Sequence, residues 1–356
     1  MKRIFMLQGT GLNEPEWARV ISKHGHTVLV QRTFVERIQI WENGKLLEST
    51  EEIPVKRNRV LDEATFGMKN QLLYSRFRKY LQPEPADVTI AISYSFAMLA
   101  LLYRMSGRTR KVVCVIVDYL PIEGSLAVRI HRRITNVISR LVARAADEVW
   151  AISPRILSAQ ANPNNFVMKF PMSDYRVPLT ERNEIGYIGF PSPDHGLELL
   201  FEVCRKHELK LNIIGDSPHL QSIRHLAPAD TVFHGVTNDA DKIRAVLSRC
   251  FCGYAVYRNT GPQNYSYYGF PSKTLHWFAN NTPVVTTNTS YFTEYIVKYG
   301  VSCVVEPTVE QVERAILDIR ARFPAYYEAI NRFRATWNAD VEKFHHERIS
   351  ALLGEK

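Results

Sequence analysis

The sequence predicts an α/β chain built as two tandem Rossmann-like domains with a cleft between them, and three observations carry that prediction. In each half, short β-rich apolar runs alternate with helical patterns, as in strand–helix–strand units that feed a parallel sheet. Between the halves, around Asn162–Arg182, the periodicity fades while Pro163, Pro171 and Pro178 appear. The 356 residues are 46% hydrophobic and 23% charged, with 17 Gly and 18 Pro, which suits two globular domains and excludes a disordered or low-complexity chain. Residues 1–175 form the first expected domain, 183–324 the second, and 325–356 a last helix that crosses back to the first. A ligand in such a fold sits at the carboxyl ends of the strands.

Taken in order, Lys2–Leu7, Thr27–Gln31, Val88–Ile92, Val112–Val117 and Glu148–Ile152 read as buried strands of the first half. Arg37–Ile40 and Lys45–Leu47 flank Asn43-Gly44, a two-residue hairpin turn inserted in that pattern. Phe66–Leu81 and Leu126–Ala146 are the two longest helical stretches there. In the second half the expected strands are Ile185–Phe190, Leu211–Ile214, Val232–Phe233, Cys252–Val256, Val284–Thr286 and Ser302–Val305. The helices expected between and after them are Leu197–Lys206, Asp241–Ser248, Ser272–Ala279, Tyr291–Tyr299 and Glu310–Phe323.

Composition narrows the function. No apolar run approaches the ~18 residues of a membrane span, and the apolar stretch of MKRIFMLQGTG is too short for a signal peptide. Cys114, Cys204, Cys250, Cys252 and Cys303 lie in apolar surroundings without metal-ligand spacing, so buried thiols in a reducing cytoplasm are expected. The net charge of +9 is uneven: Met1–Thr180 holds 26 Lys and Arg against 16 Asp and Glu, the remainder 19 against 20. So basic a first half seeks an anionic partner.

The most informative region is the second half read as a whole. Ile185-Gly-Tyr-Ile-Gly-Phe-Pro-Ser-Pro-Asp-His-Gly-Leu-Glu-Leu-Leu200 is a strand, a loop closed by Gly196 and a helix. Leu211-Asn-Ile-Ile-Gly-Asp-Ser217, Val232-Phe-His-Gly-Val236 and the stretch from Tyr268 through Phe-Pro-Ser-Lys273 to Pro283-Val-Val285 follow. Their order and spacing resemble the nucleotide-sugar-binding domain of GT-B fold glycosyltransferases, in particular the retaining family 4 (group 1). Ala146-Asp-Glu-Val-Trp-Ala-Ile-Ser153 looks like the last strand of that family's acceptor domain.

The resemblance implies a UDP- or GDP-linked sugar donor, a saccharide or lipid-linked acceptor on the first domain, retention of anomeric configuration, and no bound metal or cofactor. Its donor-side residues here are Gly9, Gly11, Gly189, His195, Gly215, Arg258, Ser272, Lys273 and His276. Helix N-termini behind Gly196 and at Pro271-Ser272 offer N–H donors and a positive dipole end to a diphosphate. Lys273 in a first turn opposes the dipole unless an anion lies close by; the alternative is a solvated lysine.

This chain departs from the family at its charged anchors. The usual Arg and Lys of the loop fall on Phe190 and His195, and the usual glutamate pair on Tyr268 and His276. Lys273, Arg258 and a protonated His195 are the candidate replacements for binding the anion. For His195 a solvent-facing loop histidine is the alternative, and for His276 core packing. A GT-B scaffold that has lost donor chemistry is the rival to an active transferase.

In the first half, Gln8-Gly9-Thr10-Gly11 follows the first strand, where glycines permit close backbone approach to a ligand. Asp118 ends a buried strand and is the candidate catalytic, acceptor-side polar group, with an N-cap or loop salt bridge as the alternative. Thr10, Tyr94 and Tyr119 are its candidate acceptor-side neighbours. Arg129, Arg133, Arg140 and Arg144 form a ridge beside Ile130, Ile134, Val137 and Leu141 on one expected helix. Such a stripe suits the inner face of an anionic membrane, a solvated helix face being the alternative. Asp239-Ala-Asp241 reads as a helix cap rather than a metal motif, and His345-His346 and His24-Gly-His26 lack a third ligand. No nucleic-acid-binding module is visible.

Overall fold

In the computed structural model, described here for residues 2–8, 14–32, 35–51, 53–54, 77, 79–81, 84–117, 125–158, 160, 162–175, 177–237, 239–262, 265–269 and 272–355, the chain divides into two units. The first comprises Met1–Pro171 with Ala339–Lys356, the second Met172–Asn338.

The first unit runs β1 (Arg3–Gln8), α1 (Glu14–Ile21), β2 (His26–Arg32), β3 (Val35–Glu42), β4 (Lys45–Ser49), β5 (Ile53–Pro54), β6 (Ala86–Ile92), α2 (Tyr94–Met105), β7 (Thr109–Ile116), α3 (Leu126–Ala145), β8 (Glu148–Ala151), α4 (Pro154–Leu157) and β9 (Asn165–Val167). Its nine strands form one sheet in the order β4-β3-β2-β1-β6-β7-β8-β9, with β5 also on β3. From β2 through β1 and β6 to β9 every pairing is parallel. The β-branched centres of β6 and β7 explain this: Val88, Ile90, Val113 and Val115 are fully buried, as strands covered on both faces must be. β3 and β4 are antiparallel additions joined at Asn43-Gly44, where both residues take the positive φ that the tight turn demands. Of the expected helix Phe66–Leu81, only Phe77 and a short turn at Lys79–Leu81 belong to the described residues.

The second unit runs β10 (Glu184–Ile188), α5 (Leu197–Lys206), β11 (Lys210–Ile214), α6 (Pro218–Ile223), β12 (Val232–Gly235), α7 (Ala240–Leu247), β13 (Cys250–Ala255), α8 (Tyr265–Tyr268), α9 (Ser272–Ala279), β14 (Val284–Thr286), α10 (Thr293–Tyr299), β15 (Cys303–Val304) and α11 (Val309–Ala321). All pairings in its six-stranded sheet are parallel, in the order β12-β11-β10-β13-β14-β15. Numbered within the unit this is 3-2-1-4-5-6, so the strand order reverses between β10 and β13, where open α/β sheets bind ligands. Asp239 caps α7: its Oδ1 accepts from the N–H groups of Asp241 and Lys242.

A last helix, α12 (Phe323–Leu353), is continuous, with its residues to Asn338 counted in the second unit and those from Ala339 in the first. In the second unit Phe333 packs edge-on to Phe278, and Arg334 pairs with Asp174 at 2.9 Å. In the first, buried His345 accepts from the Trp17 indole N–H at 2.7 Å, and Arg348 pairs with Glu148.

Candidate functional site

The carboxyl edge of the second sheet is built on glycine. Gly189, Gly215 and Gly235 end β10, β11 and β12, each with positive φ. Gly189 N–H donates to Ile214 O at 3.0 Å and Gly215 N–H to Gly235 O at 2.8 Å, so the sheet pairing continues past the strands. A Cβ at Gly215 would stand 2.9 Å from the Gly189 carbonyl carbon, so only glycine permits this approach.

From Gly189 the chain makes a tight loop to α5. His195 fixes it: its Nδ1 accepts from the Ser192 backbone N–H at 3.1 Å, while the His195 backbone N–H donates to Ser192 O at 2.9 Å. The Tyr187 hydroxyl is also 3.1 Å from that Nδ1. Gly196 takes a left-handed φ of 53° and opens α5. The loop after β13 is stitched to this one, because Arg258 N–H donates to Asp194 O at 2.7 Å and Asn259 N–H to Asp194 Oδ1 at 2.9 Å. The Tyr254 hydroxyl donates to Gly196 O at 2.8 Å from beneath.

Lys273 enters from α9. Its Nζ lies 5.1 Å and 4.9 Å from the ring centres of Tyr187 and Tyr257, within cation–π range. It is 3.8 Å from where a Gly189 Cβ would stand. No carboxylate faces it among the described residues. Burial alone would push the ammonium down, but the Tyr257 and Tyr187 hydroxyls outweigh it and hold the pKa above its ordinary value. Lys273 is charged at neutral pH.

The structure therefore gathers Gly189, His195, Gly215, Arg258 and Lys273 at one edge. His276 lies farther along α9, half-buried, its imidazole lowered by burial. Phe190, just beyond Gly189, is 65% exposed. Two expectations change. His195 is not a cation in the unliganded site: burial, the Lys273 charge and His219 push its pKa to about 3, so it is a neutral acceptor that shapes the loop. Arg258 arrives paired, 3.3 Å from Glu198 in the first turn of α5. The spacing from the Gly loop could have flagged Glu198, but only the fold reveals Tyr187 and Tyr257 as the walls around Lys273.

In the first unit, Tyr94 opens α2 at the carboxyl end of β6, and burial raises its phenol above the ordinary value. Ser93 before it holds a strained φ of 84°, with its Oγ 3.0 Å from that of Ser95. Gly9, Thr10, Gly11, Asp118 and Tyr119 lie outside the described residues, as does the Ser272 side chain. Arg129, Arg133, Arg140 and Arg144 are exposed on α3. Among the described residues, no group of three or more His, Cys, Asp and Glu could hold a metal ion.

Residues 182–321, most of the second unit, match the family model of group 1 glycosyl transferases. The chain is a glycosyltransferase of the GT-B fold. Its fold matches HepE of Anabaena in complex with UDP at TM-score 0.63 and 13% identity, covering 99% of this chain and 100% of that one. Sucrose-phosphate synthase of Thermosynechococcus elongatus matches at TM-score 0.70 and 11% identity over 99% and 100% of the two chains. WaaG, described as a glycosyltransferase involved in lipopolysaccharide biosynthesis, matches at TM-score 0.61 and 12% identity over 98% and 99%. No curated protein matches the glycosyltransferase chain significantly.

Proposed function

We propose that this glycosyltransferase moves a sugar from a UDP- or GDP-linked donor to a saccharide or lipid-linked saccharide, with retention and without a bound metal. The observation that carries the donor half is Lys273: a charged, buried ammonium with no carboxylate beside it among the described residues, set at the strand-order reversal. A diphosphate supplies the charge that the protein leaves uncompensated, and the glycine edge lets it come close to backbone. UDP in the HepE complex is consistent with the nucleotide, and the lipopolysaccharide role of WaaG with the acceptor class.

In this reaction the bond from the anomeric carbon to the β-phosphate oxygen breaks while the acceptor oxygen bonds that carbon on the same face. The acceptor proton passes to the departing phosphate. The chain orients both substrates, and Lys273 stabilises the charge that grows on the leaving diphosphate. On the acceptor side the proposal keeps Tyr94 with Thr10, Asp118 and Tyr119.

A panel of nucleotide sugars, assayed for transfer and hydrolysis with and without EDTA, tests this. Turnover of a UDP- or GDP-sugar, with the product anomer read by NMR, is the expected result. A chain that binds neither UDP nor GDP in calorimetry would instead fit a scaffold that has lost donor chemistry, the reading that Phe190, Tyr268 and His276 would then favour.

A further inference from the structure

We propose that α3 is a docking helix that lies flat on an anionic lipid bilayer. Its sequence, LAVRIHRRITNVISRLVARA, holds five arginines and no acid. On a helical wheel at ~100° per residue, Leu126, Val137, Ile130, Leu141 and Ile134 share about 80° of arc, and Arg129, Arg140, Arg133 and Arg144 fill the adjoining 60° or so.

The structure shows where those arcs point. The helix turns Thr135, Val142 and Ala143 inward and packs beside α2. Asn162 Nδ2 donates to the carbonyls of Ala143 and Ala146 and secures the C-terminal end. The apolar stripe faces the other way: Leu126 is 65% exposed, Leu141 63%, Val137 52%, and Ile130 and Ile134 are exposed with them. A helix ordinarily turns its apolar arc to the core, so five outward Leu, Ile and Val side chains in one line need an apolar partner.

Charge selects that partner. Arginines along the apolar stripe fit phosphate headgroups while the stripe enters the acyl boundary, the arrangement of an interfacial helix. A second copy of the helix would set arginines against arginines, and a nucleic acid would leave the apolar stripe wet. With five arginines in 20 residues, α3 is too charged to cross a bilayer and suits its surface. The inference stands on this face alone and does not depend on the sugar-transfer proposal.

Co-sedimentation with phosphatidylglycerol and with phosphatidylcholine vesicles tests it. The wild-type chain is expected to pellet with the anionic vesicles only, and less at high salt. Arg133→Glu with Arg144→Glu is expected to lower partitioning by about tenfold or more. Val137→Gln with Leu141→Gln, which changes only exposed side chains, is expected to lower it several-fold with the melting temperature unchanged. Equal pelleting of wild type and both variants, or no pelleting of the wild type, would overturn the proposal. So would a dimer in sedimentation equilibrium that the Gln pair dissolves while vesicles go unbound.

Discussion

The Trp277 indole lies against Gly253, where a Cβ would stand 2.6 Å from Cε2. The same ring covers Gly186 on β10, so one side chain seats α9 across the two strands that flank the strand-order reversal. Lys273 precedes Trp277 by four residues and shares its helix face. The seat of the tryptophan therefore aims the lysine at the end of β10, beside Gly189.

Gly253→Val should accordingly act on both stability and ligand. The indole is fully buried and cannot swing away, so overpacking should lower stability by about 1–3 kcal/mol. Because α9 must shift, UDP affinity should fall as well. Denaturant unfolding and calorimetry on one preparation check this; a stable variant with wild-type affinity would refute it.

Lys273→Met keeps most of the side-chain volume and removes the charge. A charge-assisted contact to phosphate contributes ~1.5–3 kcal/mol, so UDP or GDP binding should weaken by roughly ten- to a hundredfold. Without ligand the melting temperature should hold or rise, because a buried charge is gone that no carboxylate faces among the described residues. Calorimetry and thermal unfolding separate the two effects.

Acid should destabilise the fold through its buried histidines. His195, pushed to about 3 from 6.5, binds fewer protons folded than unfolded between those values. Its contribution is thus full above pH 6.5 and lost as the pH falls toward 3. His345, pushed to about 4 chiefly by burial, acts in the same direction. The melting temperature should drop on acidification below 6.5, less steeply in His195→Gln. Across neutral pH, wild type and His195→Gln should show the same pH profile of UDP affinity.

Gly215→Ala tests the glycine edge. The new methyl would meet the Gly189 carbonyl, which is backbone and cannot rotate aside, and the residue would have to hold φ 130°. Stability and UDP affinity should both fall more than in Gly300→Ala, where φ is also positive but nothing lies within 4 Å.

The sequence by itself determined what depends on local chemistry. Alternating β-branched runs and helical periods specify two parallel sheets, because buried strands and their covering helices each write their own period. Asn43-Gly44 specifies the hairpin, Asp239 its helix cap, and Gly189, Gly196 and Gly215 the loops that need positive φ. Tertiary structure alone decided what depends on residues distant in the chain. His195 is neutral because burial removes its water and a lysine 78 positions later shares its pocket. Arg258 is compensated because Glu198 lies across a loop contact. Lys273 stays charged because two tyrosines from different strand ends enclose it, with no carboxylate facing it among the described residues. The apolar arc of α3 was visible as a period, but its direction was not, since a helix repeats every 3.6 residues whichever face meets the core. Only packing against α2 turned it outward.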